Sequence, residues 1–221
     1  MGMLTAGHSH AGPLSFELVM NGRPVLVDPG TFTYSECGPW RNHFRRMEAH
    51  NCVQIDGEAW FRPAGPFRWE ALDSLVSQQV QNKMRDTVSI AVRPNRPCGL
   101  HIHERTFTIQ SANSLRVRDR FDGSGCHALK FWFHFAPGAQ LTRAGDHAFD
   151  IVLEGCVLHF VLEGFRRCKF QVWEGSEEPV AGWFSPSFDH KCLAPVLCLL
   201  EETDFPFECA FRFELERVSA Q

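Results

Sequence analysis

Leu14-Ser15-Phe16-Glu17-Leu18-Val19-Met20, then Asn21-Gly22, then Pro24-Val25-Leu26-Val27, is the stretch whose reading decides the fold. Successive side chains on a strand point to opposite faces, and residues 14–20 alternate accordingly. Asn21-Gly22 supplies the two positive φ angles of a type I′ turn, whose twist matches that of the strands it joins. The stretch therefore reads as a β-hairpin. Outward from it the chain continues as strand candidates at 88–92, 101–109, 115–120, 129–135, 148–153, 157–162, 169–173, 196–201 and 207–215. Asp122-Gly123, Pro137-Gly138 and Glu163-Gly164 read as turns between them, at spacings typical of a sandwich or barrel. Helical signal is confined to 40–49 and 70–76. With no internal repeat, low-complexity tract or linker, residues 1–221 read as one all-β domain: a large antiparallel β-sandwich with at most short helical turns.

At 221 residues and 44% apolar composition the chain can bury a substantial core. Its net charge of -4, with both signs interspersed, provides neither a basic face for nucleic acid nor a polybasic patch for a membrane surface. The longest apolar runs, such as 194–200, are too short to span a bilayer. The first seven residues lack the basic and apolar regions of a signal peptide, and chemistry begins as early as His8, so a truncated or fragmentary reading frame is expected. The nine cysteines (37, 52, 98, 126, 156, 168, 192, 198 and 209) form no CxxC pair, and several lie inside apolar runs. Most read as small buried hydrophobes rather than as a disulfide framework.

The candidate chemistry is concentrated in the first quarter, in Gly7-His8-Ser9-His10, Asp28-Pro29-Gly30-Thr31 and Ala49-His50-Asn51. In an extended segment His8 and His10 project to one side. The hairpin returns the chain so that Asp28 lies near them, and His50 is placed to complete a cluster. Two imidazoles and a carboxylate make a zinc shell, tetrahedral once water or another side chain takes the fourth position. Four groups are available for three places, leaving one for catalysis. The HxH pattern is weak alone, since His101-Ile102-His103 repeats it at what reads as a structural position. A cupin would need a glutamate three or four residues after the second histidine, whereas the first glutamate after His10 is Glu17.

The segments Gly7-His8-Ser9-His10-Ala11, Asn21-Gly22-Arg23-Pro24-Val25-Leu26-Val27-Asp28-Pro29-Gly30-Thr31 and Ala49-His50-Asn51-Cys52-Val53 closely resemble the signature of heparinase II/III-like proteins. Weaker similarity runs through Arg118-Asp119-Arg120-Phe121-Asp122-Gly123, Phe133-His134-Phe135-Ala136-Pro137-Gly138 and Gly182-Trp183-Phe184-Ser185-Pro186. Members of that family pair a helical toroid with a carboxy-terminal antiparallel β-sandwich, and only the sandwich is matched. The resemblance implies zinc at His10, Asp28 and His50, with His8 facing the substrate cleft. It also implies β-elimination at a uronic acid of an acidic polysaccharide, such as a glycosaminoglycan or alginate.

On this reading His8 and Tyr34 are the catalytic candidates and Arg41 and Arg45 the substrate-binding ones, arginine being suited to fork carboxylate and sulfate. Two departures stand out: the family's catalytic tyrosine comes from the helical domain, and Gly12 occupies a place where an acidic or amide residue is expected. The implied partners are an acidic polysaccharide and a helical toroid domain in cis or in trans, and a homo-oligomer is compatible with the sequence. The competing reading is a non-catalytic, zinc-stabilised module that binds glycan or protein. Relatives of the family work outside the cytoplasm, whereas unpaired cysteines suit a reducing compartment, so the two signals on location oppose each other.

Overall fold

The structure, a computed structural model, describes residues 9–35, 39–65, 67–69, 75–84, 86–94 and 99–217, with the backbone alone for 75–84, 94 and 217. Sixteen strands are described, all paired antiparallel: β1 (Leu18–Met20), β2 (Arg23–Leu26), β3 (Val53–Ile55), β4 (Leu75–Met84), β5 (Thr87–Pro94), β6 (Leu100–Ser111), β7 (Ser114–His134), β8 (Gln140–Gly145), β9 (Ala148–Leu153), β10 (Cys156–Glu163), β11 (Lys169–Trp173), β12 (Ser176–Glu177), β13 (Val180–Ala181), β14 (Trp183–Ser187), β15 (His190–Leu193) and β16 (Val196–Arg217). The ten-stranded sheet runs β4-β5-β6-β7-β16-β10-β9-β8, with β3 also on β7 and β11 also on β16.

The organising element is the ribbon of β7 and β16. Their outer halves pair Ser114–Phe121 with residues 207–214, and their inner halves pair Gly125–His134 with residues 196–205. The register shifts between Phe205 and Phe207, and there the ribbon folds over on itself. Phe133 and Phe211 are not cross-strand partners, yet their ring centroids are 4.9 Å apart, and Phe131 lies 5.3 Å from Phe211. Phe160 of β10 completes the stack at 5.0 Å from Phe133 and 4.8 Å from Phe213. The two halves of one ribbon thus supply facing layers of the sandwich, and offset and edge-to-face phenylalanines fill the space between them.

Residues 115–120 and 129–135, expected as separate strands, lie on one strand as far as His134, and 196–201 and 207–215 are likewise one strand. Asp122-Gly123 is therefore not a chain reversal. A side chain at Gly123 would collide with the Gly99 carbonyl and crowd Phe205, so the glycine lets β7 pass close beneath the start of β6.

Alternation is clean where one face is wet: Cys156, Leu158, Phe160 and Leu162 of β10 are buried and the residues between them are not. Residues 196–199 are buried on both faces. Leu197 and Leu199 join the main core, while Val196 and Cys198 pack with Trp132, Trp173 and Ala181 in a smaller one. Cys52, Cys156, Cys198 and Cys209 are buried; Cys37 and Cys98 lie outside the described residues.

The first hairpin forms as expected, with Asn21 and Gly22 at φ of 51° and 75°. Its first strand is shorter than the alternation implies. Leu14 takes a positive φ of 56°, so regular pairing begins only at Leu18. The helical expectation at 40–49 resolves into a short helix, α1 (Trp40–His43), and a 3-10 turn over Met47–Ala49. The expectation at 70–76 is corrected at its end, where Leu75 opens β4; residues 70–74 lie outside the described residues. Among the described residues no helix is long and apolar enough to cross a membrane.

The bend of the ribbon is held by His127. Its Nδ1 meets Asp56 Oδ2 at 2.7 Å and its Nε2 meets the Ser124 carbonyl at 3.1 Å, while the ring stacks on Phe205. Burial lowers its pKa, but the Asp56 hydrogen bond and the Ser124 carbonyl outweigh this and raise it. A raised folded-state pKa gives stability that is fully present below the unfolded value of about 6.5 and is lost as pH rises through the folded value. The stability difference between wild type and His127→Gln, read from urea midpoints across pH, should therefore be largest on the acid side and shrink toward alkaline pH. A difference independent of pH would contradict this assignment.

Candidate metal centre

Three segments converge where the first hairpin meets the end of β7. β2 is laid along that end by Val27 N–H donating to the His134 carbonyl (3.0 Å) and Ala136 N–H to the Val25 carbonyl (3.0 Å), which places Asp28 at the sheet rim. The His10 segment is fixed by Ala11 N–H donating to the Arg45 carbonyl (2.8 Å) and by the turn Ser15 N–H to Gly12 carbonyl (3.1 Å). His50 follows the 3-10 turn, its N–H on the Met47 carbonyl at 3.1 Å. Gly30, at φ of 83°, lets the Asp-Pro-Gly turn press on β14: an added Cβ would lie 2.5 Å from the Ser185 carbonyl oxygen, and Ser185 N–H donates to the Pro29 carbonyl.

His10, Asp28 and His50 each bring a ligand atom to within 4.8 Å of the others, the one such group among the described residues. His50 Nδ1 lies 2.8 Å from Asp28 Oδ2, and the His10 and His50 rings stack at 4.0 Å. Gly12 permits that stacking. A Cβ there would sit 3.0 Å from His10 Nδ1 and 3.1 Å from His50 Cβ, so a side chain at this position would press on both rings.

The residues present fit a metal. Ligand atoms of His10, Asp28 and His50 already converge within 4.8 Å, with His50 Nδ1 and Asp28 Oδ2 facing each other at 2.8 Å. Two imidazoles and a carboxylate are a normal donor set for zinc.

The electrostatics favour the ligating protonation states. Burial, then the neighbouring His50, lower the His10 pKa against a smaller opposing effect of Asp28. Burial pushes the Asp28 carboxyl up, but the hydrogen bond and charge of His50 and the Gly30 N–H outweigh it and hold the group below the usual carboxylate range. Two further histidines crowd the centre. His43 is brought down to about 4, mainly by burial and then by His50. His134, on the Glu48 carbonyl at 3.0 Å, is brought to about 3, again mainly by burial. Metals bind the neutral imidazole, and the lowered pKa of His10 favours that form.

His8 lies outside the described residues. Tyr34 is half-buried among aromatics, 5.1 Å from the Phe188 ring and 6.2 Å from that of Phe67. The Arg41 guanidinium sits 4.8 Å over the Tyr34 ring. Phe188 is 58% and Phe67 50% exposed, so this cluster meets solvent beside the Asp-Pro-Gly loop. Arg45 is buried on the same segment as Arg41. It is 1% exposed, donates to the Gly65 (2.7 Å) and Arg68 (3.1 Å) carbonyls, and stacks on Trp69 at 4.3 Å. Its guanidinium ties the Gly65 and Arg68 carbonyls together, since a fork supplies several donors at once. Arg41 is also buried, on α1.

Asn51 has a role the sequence reading did not assign. Its Nδ2 donates to the Phe16 (2.8 Å) and Val27 (3.0 Å) carbonyls, and its Oδ1 accepts from His134 N–H (2.7 Å). It ties the segment that leads from β2 to Asp28 to the segment carrying His10. The available signal was its position, a carboxamide directly after His50 and before Cys52-Val53.

A bent antiparallel sandwich with a two-histidine, one-aspartate cluster at its rim defines a class that comparison with known proteins narrows. The family model described as "Heparinase II/III-like, C-terminal" matches residues 2–198, and the chain belongs to that family. No curated protein sequence matches it. Among solved structures, it is similar to the heparan sulfate lyase HepC from Pedobacter heparinus, in mutant form, at TM-score 0.73 and 14% identity. It is similar also to the heparinase III BT4657 gene product, at TM-score 0.75 and 15% identity. In both cases the match covers 97% of this chain and 32% of the other, so the chain spans about a third of the length of these neighbours. At these identities the likeness is one of fold.

Proposed function

We propose that this sandwich is the zinc-bearing half of a lyase that cleaves uronate-containing acidic polysaccharide by β-elimination. The observation that carries the reading is the convergence of ligand atoms of His10, Asp28 and His50 within 4.8 Å of one another. On this proposal a zinc ion there is chiefly structural, clamping the three segments and polarising its neighbours. Elimination requires a base for the proton α to the uronate carboxylate, neutralisation of the enolate charge, and an acid for the leaving glycosidic oxygen. His8, two residues before the ligand His10, is assigned to the acid–base or neutralising role. Tyr34, carried on the loop that follows Asp28 and flanked by Arg41, is assigned to the cleft wall. The remaining catalytic groups come from a helical toroid domain, in cis or from another chain.

The family match and the likeness to two lyases support this reading. Its test is affinity electrophoresis of the zinc-loaded chain in gels containing heparan sulfate, alginate or neutral dextran. Retardation by an acidic glycan but not by dextran is the expected result; equal mobility in all three would contradict it. The division of labour between the histidines is tested separately. His8→Ala is expected to retain zinc at the wild-type ratio, whereas His10→Ala loses it, both read by elemental mass spectrometry. Equal loss in the two variants would overturn the assignment of His8.

A further inference from the structure

Directly beneath the metal centre lies a fully buried ion pair that the proposed function leaves unused. Asp119 of β7 and Arg105 of β6 are cross-strand partners, and both side chains are essentially inaccessible. Arg105 forks the carboxylate, Nε to Oδ1 and Nη2 to Oδ2, each at 2.8 Å. His103, two residues earlier on the same face, adds Nε2 to Oδ1 at 2.8 Å. Arg105 and His103 lower the Asp119 pKa against the opposing effect of burial, which keeps the pair ionised. A buried ion pair is by itself weak evidence for stability, because desolvation offsets most of the attraction.

The third nitrogen has a more specific role. Arg105 Nη1 donates to two main-chain carbonyls, that of Leu14 at 2.8 Å and that of Asn51 at 2.9 Å. Asn51 is the residue after His50. Leu14 lies within the turn closed by Ser15 N–H on the Gly12 carbonyl, just beyond His10. One nitrogen, held by the fork on Asp119, therefore grips the two segments that carry the two histidine ligands.

We propose that Arg105, oriented by Asp119, is a positioning residue for the metal centre, setting the separation of the His10 and His50 segments. This rests on the zinc reading above. The test is the double variant Arg105→Met/Asp119→Leu. Replacing a buried ion pair by apolar residues of similar size commonly preserves folding, and here it removes the grip on both carbonyls. Two readouts are taken: zinc affinity by competition with a chromogenic chelator, and the imidazole N–H resonance of His50 in the metal-free protein by NMR.

The expected result is a zinc affinity weaker by at least about tenfold, the scale on which groups supporting metal ligands act. The His50 Nδ1–H signal, sheltered by Asp28 in wild type, should be broadened or lost to solvent exchange. Wild-type affinity and an unchanged His50 resonance in the folded variant would overturn the proposal. Arg105→Lys is the second variant, used if the double variant does not fold. It keeps the charge opposite Asp119 but cannot fork the carboxylate and hold two carbonyls together, and it is read by the same two measurements. If wild-type protein itself binds no zinc, the zinc reading fails, and the His50 resonance alone decides whether Arg105 positions the loop.

Discussion

Asp28→Ala is expected to bind no zinc and, in zinc-replete buffer, to melt well below wild type. Asp28 is the sole carboxylate of the cluster and lies 2.8 Å from His50 Nδ1. Without it two imidazoles remain, too few to compete with solvent for the ion. Its other oxygen accepts from Gly30 N–H at 3.0 Å, so the substitution also releases the turn that docks on β14. A ligand bound only by the folded state stabilises it by mass action, about 2.7 kcal/mol when free zinc is a hundredfold above its dissociation constant. The two contributions separate in chelator. Wild type then loses the metal share, and the remaining difference from Asp28→Ala reports the hydrogen bonds to Gly30 and His50. A variant with wild-type metal content would remove Asp28 from the ligand set.

Asn51→Ala is expected to cost the most stability of any single substitution near the centre. The side chain is 1% exposed and makes three hydrogen bonds to main-chain groups of three different segments. Truncation leaves two carbonyls and the His134 N–H without their partner in a space closed to water. Each such group costs about 1–3 kcal/mol, so roughly 3–9 kcal/mol is expected in total. That is a large share of the roughly 5–15 kcal/mol that holds an ordinary domain together. Urea denaturation of the metal-free protein measures the loss without interference from zinc. Asn51→Asp tests the direction of the bonds: it keeps the acceptor for His134 but replaces the two donors, and should recover only part of the loss. A midpoint for Asn51→Ala equal to that of wild type would show that the segments are held in some other way.

Much of this arrangement is legible in the sequence because it rests on local rules. Asn21-Gly22 dictates its turn wherever it stands between strands, and the alternation of 157–162 dictates which face of β10 is buried. The three residues that converge at the rim were legible through motif resemblance; spacing alone left four groups for three places. What escaped was what depends on distant partners. Asp122-Gly123 has the composition of a reversal, but β16 pairs with β7 on either side of it, and the strand runs on through a bend. Leu14 continues an alternating pattern yet turns away, because its carbonyl is held by Arg105, ninety-one residues along the chain.

Arg45 has the chemistry to bind a sugar acid, and only the structure shows two of its donors on the Gly65 and Arg68 carbonyls. The Arg105–Asp119 pair did leave a trace. In Arg118-Asp119-Arg120 the aspartate occupies the inward position of an alternating strand, where a charge demands a buried partner.

The central claim is that His10, Asp28 and His50 form a metal site, and the most direct test is the zinc content of the purified chain, measured by elemental mass spectrometry without added metal. The account predicts close to one zinc per chain, lost in Asp28→Ala. A folded protein that carries no zinc and takes up none on titration would contradict it, and would leave the cluster as a packing arrangement of histidines around a carboxylate.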